Sequence, residues 1–384
     1  MRISSISIFL LKIPFKMHFV HGLKNRKCTE SLIVRAVSDE GVVGYGEGTP
    51  RPYVTGESQE KSLKYIKDVL WPIVGKTDYA DIGTGGDPTE ELFKIGGNLP
   101  DIKTPGIIAW NAAICAIELA LIDCLLKKRR KPLSTLLKPI RGEVFYDGVI
   151  GCGSTSKTAR IAEQYKTLGL KRLKIKVGRK YGKEHIESIR RIVGGDCQLR
   201  LDANGAYTPG EAVRFMSSLD GLDIRCVEQP IERGNLSLLR KVKDMVRIPI
   251  MADESLVTLK DAKELIQSKA CDYFNLRISK CGGLFRTLRI ATLAKNAGIR
   301  LQLGCLVGET AILSAAGRAL AGHLGELDYV EGSFGTYLLQ EDVSREDIRF
   351  GAGGRAGLLE GYGLGVEVKD SVLCKYSDKI ATLK

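Results

Sequence analysis

The chain has 384 residues, with 58 lysines and arginines against 45 aspartates and glutamates and a formal net charge of +13. With 44% hydrophobic and 27% charged residues its composition is globular, which excludes a disordered or fibrous chain and suits one large domain plus a smaller one. No apolar run reaches the roughly 18 residues of a membrane span, and the basic residues are thinly spread apart from Lys127–Lys131 at a helix end, so neither membrane nor nucleic acid is expected as a partner.

Residues Met1–Leu11 alternate apolar and polar at first, which predicts an edge strand rather than a signal peptide. Residues 31–47 predict a hairpin turning at Asp39-Glu40-Gly41. Residues 107–127 predict a largely buried helix, with Ala113, Ile117, Ala120 and Leu121 on the 3.6-residue period and Pro132 after its exit. Together these form an α+β domain over residues 1–137. The ten cysteines include no Cys-x-x-Cys pair and no zinc spacing. Reduced, mostly buried thiols in a cytoplasmic protein are expected.

From about residue 144 short apolar strands alternate with helical stretches. Strands are expected at 145–151, 172–178, 198–204, 224–230, 248–255, 273–280, 300–306 and 328–332, which predicts an eight-stranded (β/α) barrel over residues 138–340. Lys176, Asp202, Glu228, Asp253, Lys280, Cys305 and Glu331 follow one another at intervals of 25 to 27 residues. Each interval is one βα unit, so these side chains should converge on the mouth where barrel active sites lie. The Gly-rich stretch 351–357 predicts an irregular connection, within a segment 341–384 that returns to the first domain.

Asp202 (in Leu-Asp-Ala-Asn-Gly), Glu228 (in Val-Glu-Gln-Pro) and Asp253 (in Ala-Asp-Glu-Ser) each end a buried strand, where an unpaired charge is costly. Three such anions at one level call for a cation, and oxygen ligands suit Mg²⁺, with Mn²⁺ as a substitute. Lys174 and Lys176 share one face of the second strand. Lys174 and a metal nearby would leave Lys176 free to accept a proton near neutral pH. Lys280, four strands further round the ring, would address the opposite face of a substrate carbon.

Lys-x-Lys, Asp-Ala-Asn-Gly, Glu-Gln-Pro, Asp-Glu-Ser and Ser-Lys-Cys-Gly-Gly together resemble the muconate-lactonizing branch of the enolase superfamily. The resemblance implies a modified TIM-type (β/α)7β barrel with an α+β N-terminal capping domain. It implies Lys176 and Lys280 as the acid/base pair, Asp202, Glu228 and Asp253 as metal ligands, Lys174 as support for charge at the substrate carboxylate, and Asn204 and Glu254 as residues that orient the ligands. The mandelate-racemase branch would place a histidine after the seventh strand, where this chain has Leu303-Gly-Cys-Leu. His18, His21, His185 and His323 all lie elsewhere.

The chemistry so implied is removal of the proton α to a substrate carboxylate through an enediolate. Racemisation or epimerisation of an amino-acid derivative is the expected outcome. The alternatives are muconate-type cycloisomerisation and elimination of the dehydratase or o-succinylbenzoate-synthase kind. The partner is a small-molecule carboxylate, and a homo-oligomer is expected. Specificity should come from loops 17–24 and 49–56, through His21, Lys24, Arg51 and Tyr53, and from Cys305 and Glu309 at and beyond the end of the seventh strand. Arg51 or Lys24 could hold a second anionic group. The eighth strand ends Val330-Glu-Gly-Ser333, where dipeptide epimerases of this branch carry Asp-x-Asp to grip the substrate ammonium.

Overall fold

The computed structural model describes residues 1–21, 24–79 and 87–384, and leaves the side chains of residues 17–25 and Pro88 outside the description. The alternation at the start of the chain forms β1 (Ile3–Leu11), with Ile6 and Ile8 inside and Ser5 and Ser7 nearer solvent. Strands β2 (Pro14–His21) and β3 (Lys24–Cys28) make a separate antiparallel ribbon. The predicted hairpin is β4 (Ser31–Ser38) with β5 (Val43–Gly48).

The long helix runs from Asn111 to Lys128, starting four residues later than the periodicity predicts. The Glu57 carboxylate accepts the Ala112 and Ala113 N–H groups at 2.9 and 3.0 Å and so fixes that end. The helix lies directly on β5 because Gly44, Gly46 and Gly48 present no side chain to it. A Cβ at Gly46 would stand 2.0 Å from the Ala116 carbonyl oxygen, and one at Gly48 would stand 2.0 Å from that of Ala112. Alternate glycines on a strand thus meet small residues one turn apart on a helix.

A second sheet follows. After β6 (Glu143–Phe145) come eight parallel strands: β7 (Gly148–Ile150), β8 (Arg172–Lys176), β9 (Gln198–Asp202), β10 (Ile224–Glu228), β11 (Ile250–Ala252), β12 (Tyr273–Leu276), β13 (Arg300–Leu303) and β14 (Tyr329–Val330). Their spatial order is their chain order, and the sheet curls until the Asp147 N–H donates to the Val330 carbonyl at 2.8 Å. A helix of nine residues or more follows each of the first seven strands. This is a (β/α)7β arrangement beneath an antiparallel α+β cap. The expected first strand is broken, since Tyr146 leaves the barrel to bond Gly354. The Gly-rich segment is correspondingly ordered in part: β15 (Arg355–Gly357) pairs with β6.

The last strand, β16 (Ser377–Leu383), pairs antiparallel with β1, giving the cap order β16-β1-β4-β5. β1 is therefore interior rather than the edge strand its alternation predicts, and its unpaired backbone row is covered by the chain's own C-terminal segment. Two carboxylates fasten the cap to the barrel. Glu118 accepts the Leu284 and Phe285 N–H groups, and Glu47 accepts those of Thr310 and Leu313. Both sit at the N-termini of barrel helices, where the helix dipole favours an anion. Among the described residues no helix is long and apolar enough to cross a membrane.

The glycine–helix seam generates a stability prediction. Gly46→Ala forces a methyl into backbone atoms that cannot swing away, so it should cost about 1–3 kcal/mol or more. Urea denaturation checks this, and an unchanged midpoint would contradict the packing account.

Candidate active site

Strand register sets the site. Lys176 pairs with Asp202, and Asp202 pairs with Glu228, so three charged side chains stand at one level on adjacent strands. Asp253 and Glu254 follow β11 directly. Gln229 holds their loop, its Oε1 accepting the Asp253 and Ser255 N–H groups at 3.1 and 3.0 Å. Asn204 bridges two of the groups: its Oδ1 accepts from Lys176 Nζ at 2.8 Å and its Nδ2 donates to Glu254 Oε1 at 2.9 Å. Asn204 and Gln229 both hold positive φ, at 44° and 39°. Such backbone strain persists where surrounding contacts fix it, commonly at functional sites.

Asp202, Glu228 and Asp253 are all buried, each with a cationic partner. Lys176 lies 2.5 Å and Lys174 3.3 Å from Asp202 Oδ2. Lys174 is also 3.4 Å from Glu228 and 2.7 Å from Glu331. Burial pushes Glu228 up, but Lys174 and Arg277 outweigh it and hold the carboxyl well below the usual carboxylate range. Burial wins at Asp253, which is raised despite Arg277 and Lys280. Burial, then the charges of Asp253 and Asp202, push Glu254 up to about 7.

A cavity of about 240 Å³ opens above this ring, and Lys174, Lys176, Arg277, Cys305, Glu309 and Glu331 reach its wall. Val149, Ile161, Leu306, Phe334 and Leu338 give it a largely apolar lining. Burial, then Glu309, push the Cys305 thiol well above its ordinary value. Arg51 is not at this wall. It is buried and donates to the carbonyls of Glu30, Pro50 and Val307 at 2.8 to 3.0 Å, tying the cap to the loop after β13. That arrangement corrects its expected role as a holder of a second substrate anion. Tyr53 lies beneath the Arg26 guanidinium, also away from the cavity wall. The side chains of His21 and Lys24 lie outside the described residues.

Lys280 is not where the sequence pattern puts it. It is not the end of β12 but part of a helical turn, Ile278–Cys281, beyond the strand. Its side chain is 1% exposed. Its ammonium donates to Asp253 O, Asp253 Oδ1 and Asn275 O at 2.8, 2.7 and 2.8 Å, which uses all three of its N–H groups. The residue at the cavity is Arg277. Its guanidinium bridges Glu228 Oε1 (3.0 Å) and Asp253 Oδ2 (2.6 Å). Period-2 geometry carried the signal, since Arg277, still extended one residue past β12, faces inward as Asn275 does, and Lys280 does not. Sequence reasoning also missed Arg200, which crosses the barrel interior to pair with Asp147 at 2.8 Å and with Glu331.

Among the described residues no three His, Cys, Asp or Glu side chains are already gathered in ligating geometry. Lys174 stands between Asp202 and Glu228, and Arg277 between Glu228 and Asp253. The donor chemistry nonetheless fits a hard divalent cation. Three buried carboxylates end successive strands, and Glu254 Oε2 and Asn275 Oδ1 beside them are buried without hydrogen-bond partners.

Buried carboxylates and lysines thus ring the C-terminal mouth of a capped (β/α)7β barrel, an enolase-type architecture. Residues 157–372 match the family model described as enolase C-terminal domain-like, and residues 7–138 match the mandelate racemase / muconate lactonizing enzyme N-terminal domain. The chain belongs to this mandelate racemase / muconate lactonizing enzyme family and is an isomerase of the enolase superfamily. It is 33% identical over 323 residues to a hydrophobic dipeptide epimerase of Enterococcus faecalis, covering 84% of this chain and 87% of the relative. The structure of a dipeptide epimerase from E. faecalis with Mg and the dipeptide L-Leu-L-Tyr superposes with a TM-score of 0.81 at 32% identity, covering 96% of this chain and 100% of that one. The N-succinyl Arg/Lys racemase of Bacillus cereus superposes with a TM-score of 0.88 at 26% identity, covering both chains completely. Epimerases, racemases and cycloisomerases all occur among the relatives.

Glu309 supplies a pH prediction. Burial pushes its carboxyl from 4.5 up to about 8, so the fold binds a proton there that the unfolded chain has released. Its contribution to stability is fullest below the ordinary value and declines as pH rises to about 8. Glu309→Gln should keep the fold and flatten the fall of Tm between about pH 5 and 8. An unaltered slope would show that Glu309 is ionised in the folded protein.

Proposed function

We propose that this protein abstracts the proton α to the carboxylate of a small amino-acid derivative, with Lys176 as the base and Asp202, Glu228 and Asp253 as ligands of Mg²⁺ or Mn²⁺. The observation that carries this is the register itself: Lys176, Asp202 and Glu228 stand at one level, with Asp253 just past the end of the next strand. A divalent cation bound there supplies fixed positive charge where the substrate carboxylate gains negative charge. Lys176 then needs only the correct position, which Asn204 gives it through the 2.8 Å hydrogen bond. Lys174, raised above its ordinary value by Glu228, Glu331 and Asp202 against the effect of burial, stays a cation and supports the same developing charge.

The relatives' activities and the cavity favour one substrate class. The E. faecalis and B. cereus relatives are named for dipeptides and N-succinyl amino acids, and the apolar lining here suits a substrate whose far half is apolar. Glu331, placed where a carboxylate could grip an ammonium, is already paired with Lys174 and Arg200. Racemisation or epimerisation and cycloisomerisation remain the outcomes open to such a site. The choice turns on what faces Lys176.

Asp202→Asn, Glu228→Gln and Asp253→Asn should each weaken Mg²⁺ binding in calorimetry and abolish α-proton exchange in D₂O. Chelation should abolish the exchange of the native protein, and added Mg²⁺ should restore it. Lys176→Ala should retain Mg²⁺ binding yet lose exchange by about 10²–10⁴-fold. Exchange that survives exhaustive chelation would defeat the metal assignment, and exchange that survives loss of Lys176 would defeat the base.

A further inference from the structure

The side of the site opposite Lys176 carries a guanidinium where an invertible reaction needs a second proton carrier. β12 lies four strands from β8 in an eight-stranded ring, hence across from it. The residue just past its end is Arg277, 8% exposed and at the cavity wall. Two carboxylates orient the guanidinium, and its Nε–H is buried without a partner. Lys280, the other cation of this strand end, has all three N–H groups engaged behind Asp253. A guanidinium donates hydrogen bonds in a fixed fork but keeps its protons, whereas an amine can give and take one.

We infer that protons reach and leave the substrate α-carbon only from the face of Lys176, and that Arg277 acts on the other face as a hydrogen-bond donor to the substrate's anionic oxygens. This rests on Lys176 as the base. The Cα–H bond breaks, its proton passes to Lys176 Nζ, and its electron pair enters the carboxylate to give the enediolate. The pair then has two ways back. It retakes a proton from Lys176 with retention, or it forms a Cα=Cβ bond as an internal Cβ–O bond breaks. In the second case the oxygen stays in the same molecule as a carboxylate, and Lys176 passes its proton to water. Isomerisation thus proceeds by opening or closing a ring at Cβ rather than by inversion at Cα.

The test incubates the Mg²⁺-loaded protein in D₂O with L-Leu-L-Tyr, N-succinyl-L-arginine and muconolactone. NMR reads α-deuterium and ring opening, and chiral chromatography reads configuration. The expected result is deuterium incorporation with retained configuration in the acyclic probes, and opening of the lactone. Arg277→Lys, which places a removable proton on the far face, should allow the opposite epimer to accumulate with deuterium. Circular dichroism checks that the variant folds, and if it does not, the stereochemistry of the native protein decides alone. Inversion with exchange by the native protein overturns this inference and leaves the proposed function standing. Absence of both exchange and ring opening with all three probes overturns the proposed function, and this inference with it.

Discussion

Asp202, Glu228, Asp253, Glu254 and Glu331 are buried at the barrel mouth, and Asp147 is buried at the other end of the strands. An uncompensated buried carboxylate costs several kcal/mol even after the surroundings relax. The fold answers with interleaved cations. A continuous path runs Asp147, Arg200, Glu331, Lys174, Glu228, Arg277, Asp253, Lys280, each in ion-pair contact with the next. It reaches from the first barrel strand to the turn after the sixth. Each interior member touches two oppositely charged neighbours, so loss of any one of them leaves both neighbours with a partner fewer. The path therefore holds the strand ends together and keeps charges of both signs at the cavity. Glu254 carries no ion pair among the described contacts, and its carboxyl is the one that burial and like charges push up to about 7.

Much of this was legible in the sequence because barrel geometry writes itself there at two periods. The βα repeat placed Lys176, Asp202, Glu228 and Asp253 on one rim, and strand alternation placed Lys174 beside Lys176 on the inner face. What failed was the sixth strand. Assigning it to residues 273–280 carried the strand past its end at Leu276, and the lysine at the end of that run looked like the partner of Lys176. Strand alternation fails wherever a chain leaves extended geometry, here at Ile278, and Gly282 and Gly283, both at positive φ, close the helical turn that follows. Arg277 stood on the correct face all along, but an arginine has no acid/base habit to attract notice.

Other misjudgements have a common origin in long-range pairing. Nothing local in Ile3–Leu11 shows that residues 377–383 will lie beside it. Likewise nothing local in Arg355–Gly357 announces its partner at residues 143–145. Arg51 looked like a substrate contact because its loop lies in the cap. It proved a tie because the carbonyl of Val307, from a loop more than 250 residues away, is where its guanidinium ends.

The cap is fastened at the site rather than beside it. Glu118 docks on the helix that follows β12, and Glu47 docks on the helix that follows β13. Asn111 reaches further and donates to the carbonyls of Lys280 and Val257 at 2.6 and 2.9 Å. Lys280 is thereby shared. Its ammonium fixes Asp253 while its carbonyl receives the cap helix. In that double role it keeps the Asp253 loop and the cap helix in register, with no N–H of its ammonium left for a further partner. The same anchoring holds Lys280 behind Asp253 and leaves Arg277 as the cation of this strand end that lines the cavity.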